Sequence, residues 1–290
     1  MGTSDQLVTE NPTEELVARR HRWGGMSLGM IIGLVILGVL VVVASSAPHL
    51  ATDDPLEQDL AHRLAPPSAD HWFGTDRLGR DIYSRLLHGA RVSLITATLV
   101  VVFSVSLGVV LGLVSGFYGG GVDFFAQRVI DVIMAFPGLL LAIAIMAFLG
   151  QGVLNVVLAM SIVNLAKVTR VARAVALQVR QEEYVDAARA VGARDSRILS
   201  RHIFPGMLGP IIVRATFTLV YAIRTEATLS FIGLGVPPPH PSWGGLLSAG
   251  RAYVQIAPWI TVAPGVAIAL TILSLTLIGD WLRDRFDPRA

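Results

Sequence analysis

The sequence has no cysteine in its 290 residues. Disulfides, thiolate nucleophiles and cysteine-based metal sites are therefore excluded. Charge is scarce too. Asp, Glu, Lys and Arg make up 15% of the chain, against about 25% in soluble globular proteins. So few charges cannot cover a water-facing surface, which rules out a soluble enzyme, a secreted disulfide scaffold and a nucleic-acid-binding domain. Lysine occurs once, as Lys167 between Ala166 and Val168. A phosphate-binding loop needs Gly-Lys-Ser/Thr, so this chain cannot hold ATP in that way. Any ATP-driven work requires a nucleotide site on another subunit.

Hydrophobic residues are abundant, at 53%. They gather in four uncharged windows, 23–48, 92–122, 132–166 and 252–279. A membrane-spanning helix needs roughly 20 apolar residues. An outer-membrane barrel would show alternating segments of about 10 residues, and these windows do not alternate. The composition therefore predicts an all-α polytopic membrane protein. Arg19, Arg20 and Arg22 precede the first window, and Ala44-Ser45-Ser46-Ala47 could imitate a cleavage site. A signal core is only 7–15 residues long, so the longer run is expected to stay as a first helix at about 26–46.

The second span is expected at about 92–115. The window 132–166 would make one helix about 52 Å long, so it is divided at Gly150-Gln151-Gly152. The two parts are spans at about 130–149 and about 153–170, with Pro137 kinking the first. A fifth span at about 207–232 carries Arg214, Arg224 and Glu226. The sixth is expected at about 258–279. Six spans with both termini inside put 15 of the 23 Lys and Arg on the cytoplasmic side and six outside, as the positive-inside rule requires. The division is an N-terminal tail 1–25, a helix 26–46, an extracytoplasmic loop 47–90, a five-helix core 91–282 and a tail 283–290.

Gly25-Met26-Ser27-Leu28-Gly29 matches G-x-S-x-G. That motif works on a strand-to-helix turn, whereas here it opens a membrane helix. The seven histidines all fall in loops or near span ends, with no base placed for a buried serine. His62 and His71 lack a ligand spacing pattern and read as surface residues rather than as metal ligands.

Residues 178–205 lie between the fourth and fifth spans. Tyr184, Ala187, Ala188 and Val191 recur at helical spacing. Gly192 reads as a left-handed helix cap, and a second short helix at about 194–203 is expected to end before Pro205. Both helices would lie parallel to the membrane. An interfacial lipid helix is one reading. The small Ala187 and Ala188, flanked by Asp186 and Arg189, instead suit docking into a groove of a partner protein.

Asp186-Ala187-Ala188-x(3)-Gly192, followed nine residues later by His202-Ile203-Phe204-Pro205, resembles the "EAA" loop of ABC-importer permeases. The family pattern is E-A-A-x(3)-G-x(9)-I-x-L-P. Asp186, His202 and Phe204 depart from it, while the two alanines, Gly192 and Pro205 match. Phe73-Gly74-Thr75-Asp76-Arg77-Leu78-Gly79-Arg80-Asp81 and Glu226-Ala227-Thr228-Leu229-Ser230-Phe231-Ile232-Gly233-Leu234-Gly235, with Pro241-Ser242-Trp243-Gly244, are similar to segments of the dipeptide/oligopeptide/nickel permeases, specifically the "C" type of the two unlike subunits. Arg214 and Arg224 stand where that family usually has uncharged residues.

The resemblance implies a type I ABC-importer permease fold with six transmembrane helices in a bacterial inner membrane. It also implies a second homologous permease, an extracytoplasmic substrate-binding protein, and two cytoplasmic ATPases that carry ATP and Mg. This chain itself would be no enzyme and bind no cofactor. The ATPase-coupling residues would be Glu183, Tyr184, Asp186, Ala187, Ala188, Gly192 and Pro205. Substrates would be di- or oligopeptides, with nickel chelates as the alternative. A secondary transporter or channel is a rival from another class, and a membrane-embedded hydrolase is a third, lacking a base.

For Arg224 and Glu226 three readings are open: pairing near the outer surface, pore or gate lining, and contact with the binding protein. Asp76, Arg80 and Asp81 read as a hydrogen-bonded turn or as a contact to a partner. Asp131 is expected to pair with Arg128 at helical spacing. The Pro237–Pro239 run, with Pro241, predicts a stiff outer loop.

Overall fold

The computed structural model describes residues 27–286. The expected tail 1–25, Gly25 and Met26 of the G-x-S-x-G match, and residues 287–290 lie outside that range. The described residues are helical, joined by turns and one long irregular segment.

Helix α1 is Leu28–Ser45, capped by the Ser27 hydroxyl, which accepts from Met30 N. A short turn, α2 (Ala47–Leu50), leads into the irregular segment that precedes the next long helix. Helix α3, Ile82–Tyr118, has 37 residues, about 55 Å at 1.5 Å per residue. It starts ten residues before the expected second span because Asp81 caps it, accepting from Ser84 N at 2.7 Å. Gly119, at φ +67°, ends it.

The expected third span is broken rather than kinked. Helix α4 (Gly120–Met134) and helix α5 (Gly138–Leu149) meet at 87°. Pro137 explains the break, because it has no N–H and its ring clashes with the carbonyl one turn earlier. Gly150 and Gly152 take positive φ in the expected turn, and helix α6 (Val153–Val179) follows. Helix α7 is Glu183–Ala190, and helix α8 is Asp195–Ile198.

Pro205 does not end a helix, contrary to expectation. A wide turn over Leu199–Ile203 accommodates it, with Phe204 N reaching back five residues to Leu199 O. The chain runs on without interruption into helix α9, Phe204–Phe231. The second helix of the loop is therefore the N-terminal extension of the fifth span. Helix α10 (Trp243–Gly250) and helix α11 (Trp259–Phe286) complete the chain.

Among the described residues five helices are long and apolar enough to cross a membrane, and six crossings result when the bent α4–α5 pair is one of them. The centre is α3 against α6. Gly108, Gly112 and Gly116 recur every fourth residue on α3, and a Cβ at Gly112 would lie 2.6 Å from both Ala172 Cβ and Thr169 O. Small residues let two helices approach this closely where the surrounding solvent supplies no hydrophobic drive. Ala97, Val100, Met160, Ile223, Leu229 and Leu275 form the apolar core at the middle. Helix α1 packs on α3 and α11 and leaves most of its apolar surface exposed, as a lipid-facing helix would.

Candidate functional site

The loop between α6 and α9 presents one exposed surface and one docked face. On α7, Val185 and Ala188 are buried. They join Phe117, Val179, Ile198, Ile203 and Met207 in one cluster. Ala188 therefore faces its own chain, and of the two alanines only Ala187 belongs to the exposed surface. The rotation of about 100° between successive residues on a helix separates the pair, which sequence spacing alone keeps together. Glu183, Tyr184, Asp186 and Val191 are exposed around Ala187. Asp186 accepts from Arg189 at 3.0 Å, and the Arg189 guanidinium lies 5.9 Å from the Phe117 ring.

Gly192 takes φ +76°. Its N–H donates to Arg189 O, and Ala193 N donates to Ala188 O at 3.0 Å. This is the Schellman arrangement that ends a helix through a left-handed residue. No atom lies within 4 Å of a Cβ placed there, so backbone angle rather than space demands glycine. Pro205 is exposed in the first turn of α9.

Asp131 pairs with Arg170 on α6 at 2.7 Å, not with Arg128. Arg128 instead lies over the Phe124 ring. Asp123, one turn into α4, accepts from Arg173 Nε and Nη2, both at 2.5 Å, and from Ser115. These pairs fasten α4, the first half of the broken span, to α3 and α6.

Residues 234–236 (Leu-Gly-Val) follow Gly233, at φ +87°, which ends α9. Glu226 sits well inside α9 and is buried. Its carboxylate accepts from Ser230 Oγ at 2.8 Å and from Ser93 Oγ at 3.3 Å. Ser93 in turn accepts from Trp243 N at 3.1 Å, and the Trp243 indole donates to Leu86 O. Glu226 is thus the centre of a polar node joining α3, α9 and α10, not a residue of an open lining. Arg224 is exposed on another side of α9, so the structure separates these two residues.

In the irregular segment before α3, Asp76 accepts from Arg80 Nε at 2.8 Å and from the N–H groups of Leu78 and Arg80. Gly79, at φ +74°, brings the turn so close to Asp59 that a Cβ would overlap its carbonyl. Asp76, Arg80 and Asp81 therefore build the hydrogen-bonded turn that holds the N-terminal end of α3. His62 contacts Asp59 and His71 contacts Asp81. Folding also brings Asp53 to the last pair, with one ligand-type atom of each residue within 4.8 Å of the others. No sequence spacing links Asp53 to that pair.

Residues 108–290 match the family described as binding-protein-dependent transport system inner membrane component. The chain belongs to this permease family. Residues 29–67 match the N-terminal transmembrane domain of oligopeptide transport permease C, which agrees with the C-type resemblance. The permease is 43% identical over 259 residues to the dipeptide transport system permease protein of Alkalihalophilus pseudofirmus, covering 89% of this chain and 85% of that one. It is 39% identical over 259 residues to the oligopeptide transport system permease protein of Bacillus subtilis, again covering 89% and 85%. Its fold is similar to a chain of the inward-facing MetNI methionine ABC transporter, with a TM-score of 0.58 at 16% identity. That likeness covers 69% of this chain and 96% of the other. The permease is therefore a multi-pass membrane subunit of an ABC importer, with the type I permease fold.

Proposed function

We propose that this permease forms the translocation path for di- and oligopeptides together with a second, homologous permease. An extracytoplasmic binding protein delivers the peptide, and two cytoplasmic ATPases, holding ATP and Mg, drive the cycle. Both termini are cytoplasmic in this reading, and residues 47–90 face outside. Peptides are favoured over nickel chelates because the relatives are named for dipeptides and oligopeptides. A self-powered transporter is disfavoured by membership in a binding-protein-dependent family.

The observation that carries the coupling role is the two-sided α7. Its outer surface offers Glu183, Tyr184, Asp186 and Ala187, with Ala187 small enough for a groove wall to come close. Its inner face is embedded, through Val185 and Ala188, among the inner ends of α3, α6 and α9. A displacement of α7 by a closing ATPase pair is therefore delivered to three spans together. ATP then favours one arrangement through contacts made only in that arrangement.

The test is co-purification of the ATPases, beside peptide uptake in cells. Ala187→Trp adds bulk on the exposed face and leaves the docked face intact, so it should abolish ATPase retention and uptake while the two permeases still assemble. Gly192→Val forces a β-branched residue into positive φ and should do the same by turning α7. An interfacial lipid helix would accept Ala187→Trp, since Trp favours the interface. Full ATPase retention and normal uptake in both variants would remove the coupling role.

A further inference from the structure

Three cations stand within spans of this permease without an acidic partner among the described residues. Lys167 lies near the midpoint of α6, and Arg214 and Arg224 lie on α9. The ion pairs among the described residues join other groups. Glu226, the acid on α9, is turned to its serine partners. Charges at this depth are costly unless they face a protein interior or a water-filled cavity.

The cations are also grouped. Lys167 Nζ sits 4.0 Å from the centre of the Tyr221 ring, and the Arg224 guanidinium carbon sits 5.5 Å from the same centre. Two like charges share one aromatic ring with no anion between them. Arg214 lies seven residues before Tyr221, two turns along the same stripe of α9. Its Nε is buried with no hydrogen-bond partner among the described residues. From Arg214 to Arg224 the stripe rises about 15 Å, half of a hydrocarbon core of about 30 Å. The first turn of α5 opens onto the same place. A Cβ at Gly138 would lie 3.1 Å from Tyr221 Oη and 3.9 Å from Lys167 Nζ. No side chain caps that turn, so its free N–H groups add positive potential.

We propose that Lys167, Tyr221, Arg224 and Arg214 line the translocation path and receive the carboxylates of acidic peptides, so that Asp- and Glu-containing peptides pass in preference to basic ones. This rests on the peptide-permease reading above. A peptide carboxylate supplies the anion that the three cations lack, and a basic side chain is rejected by like charge. A row of separate cations, rather than one deep pocket, binds well enough to admit an anion and weakly enough to release it. Tyr221 contacts both Lys167 and Arg224 through one ring and keeps them close together.

The experiment uses the complete importer in proteoliposomes, with each peptide presented on saturating binding protein. Maximal uptake is compared for a neutral, a Glu-containing and a Lys-containing peptide of equal length. Lys167→Gln and, separately, the exposed Arg224→Gln should lower uptake of the Glu-containing peptide about tenfold, the effect of losing one charged hydrogen bond. Uptake of the neutral peptide, which presents only its terminal carboxylate, should fall less than that of the Glu-containing one. Lys167→Arg should restore the acidic peptide. Equal loss for all three peptides, or no change in either variant, would overturn the inference. Equal loss that an acidic-residue swap on the partner permease reverses would assign the cations to subunit pairing instead. A wild type that takes up no peptide would defeat the substrate reading itself.

Discussion

Replacing Gly112 by alanine tests the packing on which the whole membrane core depends. The new Cβ would lie 2.6 Å from Ala172 Cβ, 2.6 Å from Thr169 O and 2.7 Å from Arg173 N. Carbon atoms pack best at about 3.5–4.0 Å, so the α3 and α6 axes must separate by roughly 1 Å at this point. Two of the three obstructing atoms are backbone, and the third is a Cβ, so no side chain can rotate away. Overpacking of this kind costs about 1–3 kcal/mol. Alanine recovers up to about 1 kcal/mol of helix propensity relative to glycine. The net expectation is a loss of about 1–2 kcal/mol, which lowers the melting temperature by about 2–4 °C for each kcal/mol in a chain of this size. Gly38, within α1, has open space where a Cβ would go, with nothing within 4 Å, so Gly38→Ala should leave stability unchanged or slightly raised. The assay is thermal unfolding of the purified chain in mild detergent, with both variants beside wild type. Gly112→Ala as stable as Gly38→Ala would refute the claim that glycine spacing sets the α3–α6 distance.

Cysteines introduced at Ser68 and Ser196, both exposed, should differ in intact cells: an impermeant thiol reagent should label the first and not the second, and the reverse pattern would invert the topology. The hydrogen bond between His62 Nδ1 and Asp59 Oδ2, 2.6 Å long, raises the His62 pKa and lowers that of Asp59. The stabilisation from the raised imidazole is complete below its unfolded value of about 6.5 and is lost as pH rises through the folded one. That from the lowered carboxylate is present above about 3.9 and is lost as pH falls through the folded value. NMR titration of the full chain with labelled histidine should place His62 above its ordinary value, and Asp59→Asn should bring it back; an unmoved midpoint in the variant would show that Asp59 is not the cause.

Features set by local sequence are legible in the chain itself. Apolar windows locate the spans, Gly150-Gln151-Gly152 locates a turn, and Gly192 locates a left-handed cap, because each depends on the backbone and solvation preferences of the residues concerned. Features that depend on distant partners are not legible in this way. The spacing of Arg128 and Asp131 suggests a pair, yet Arg170, far along the chain, takes the aspartate. Ala188 turns inward because Ile198, Ile203 and Met207 fold back beside it. The burial of Glu226 depends on Ser93, far earlier in the chain, which donates to it and is itself held by Trp243 N. Pro205 signals a helix end, but a wide turn absorbs it. Lys167 stands out in the sequence for the loop it cannot form, while its contact with Tyr221 is made only by the fold.

Helix α3 runs unbroken from the Asp76 turn and the Trp243 node to the Phe117 cluster beside α7. It contains no proline and no interruption, so it behaves as a stiff rod about 55 Å long. A rod pivoting about its middle moves its two tips in opposite directions. A tilt of about 10° would carry each tip about 5 Å, comparable to the width of a peptide backbone. In the proposed transport cycle such a pivot would tie widening at one mouth of the path to narrowing at the other by leverage, with no separate timing device needed to keep both from opening together.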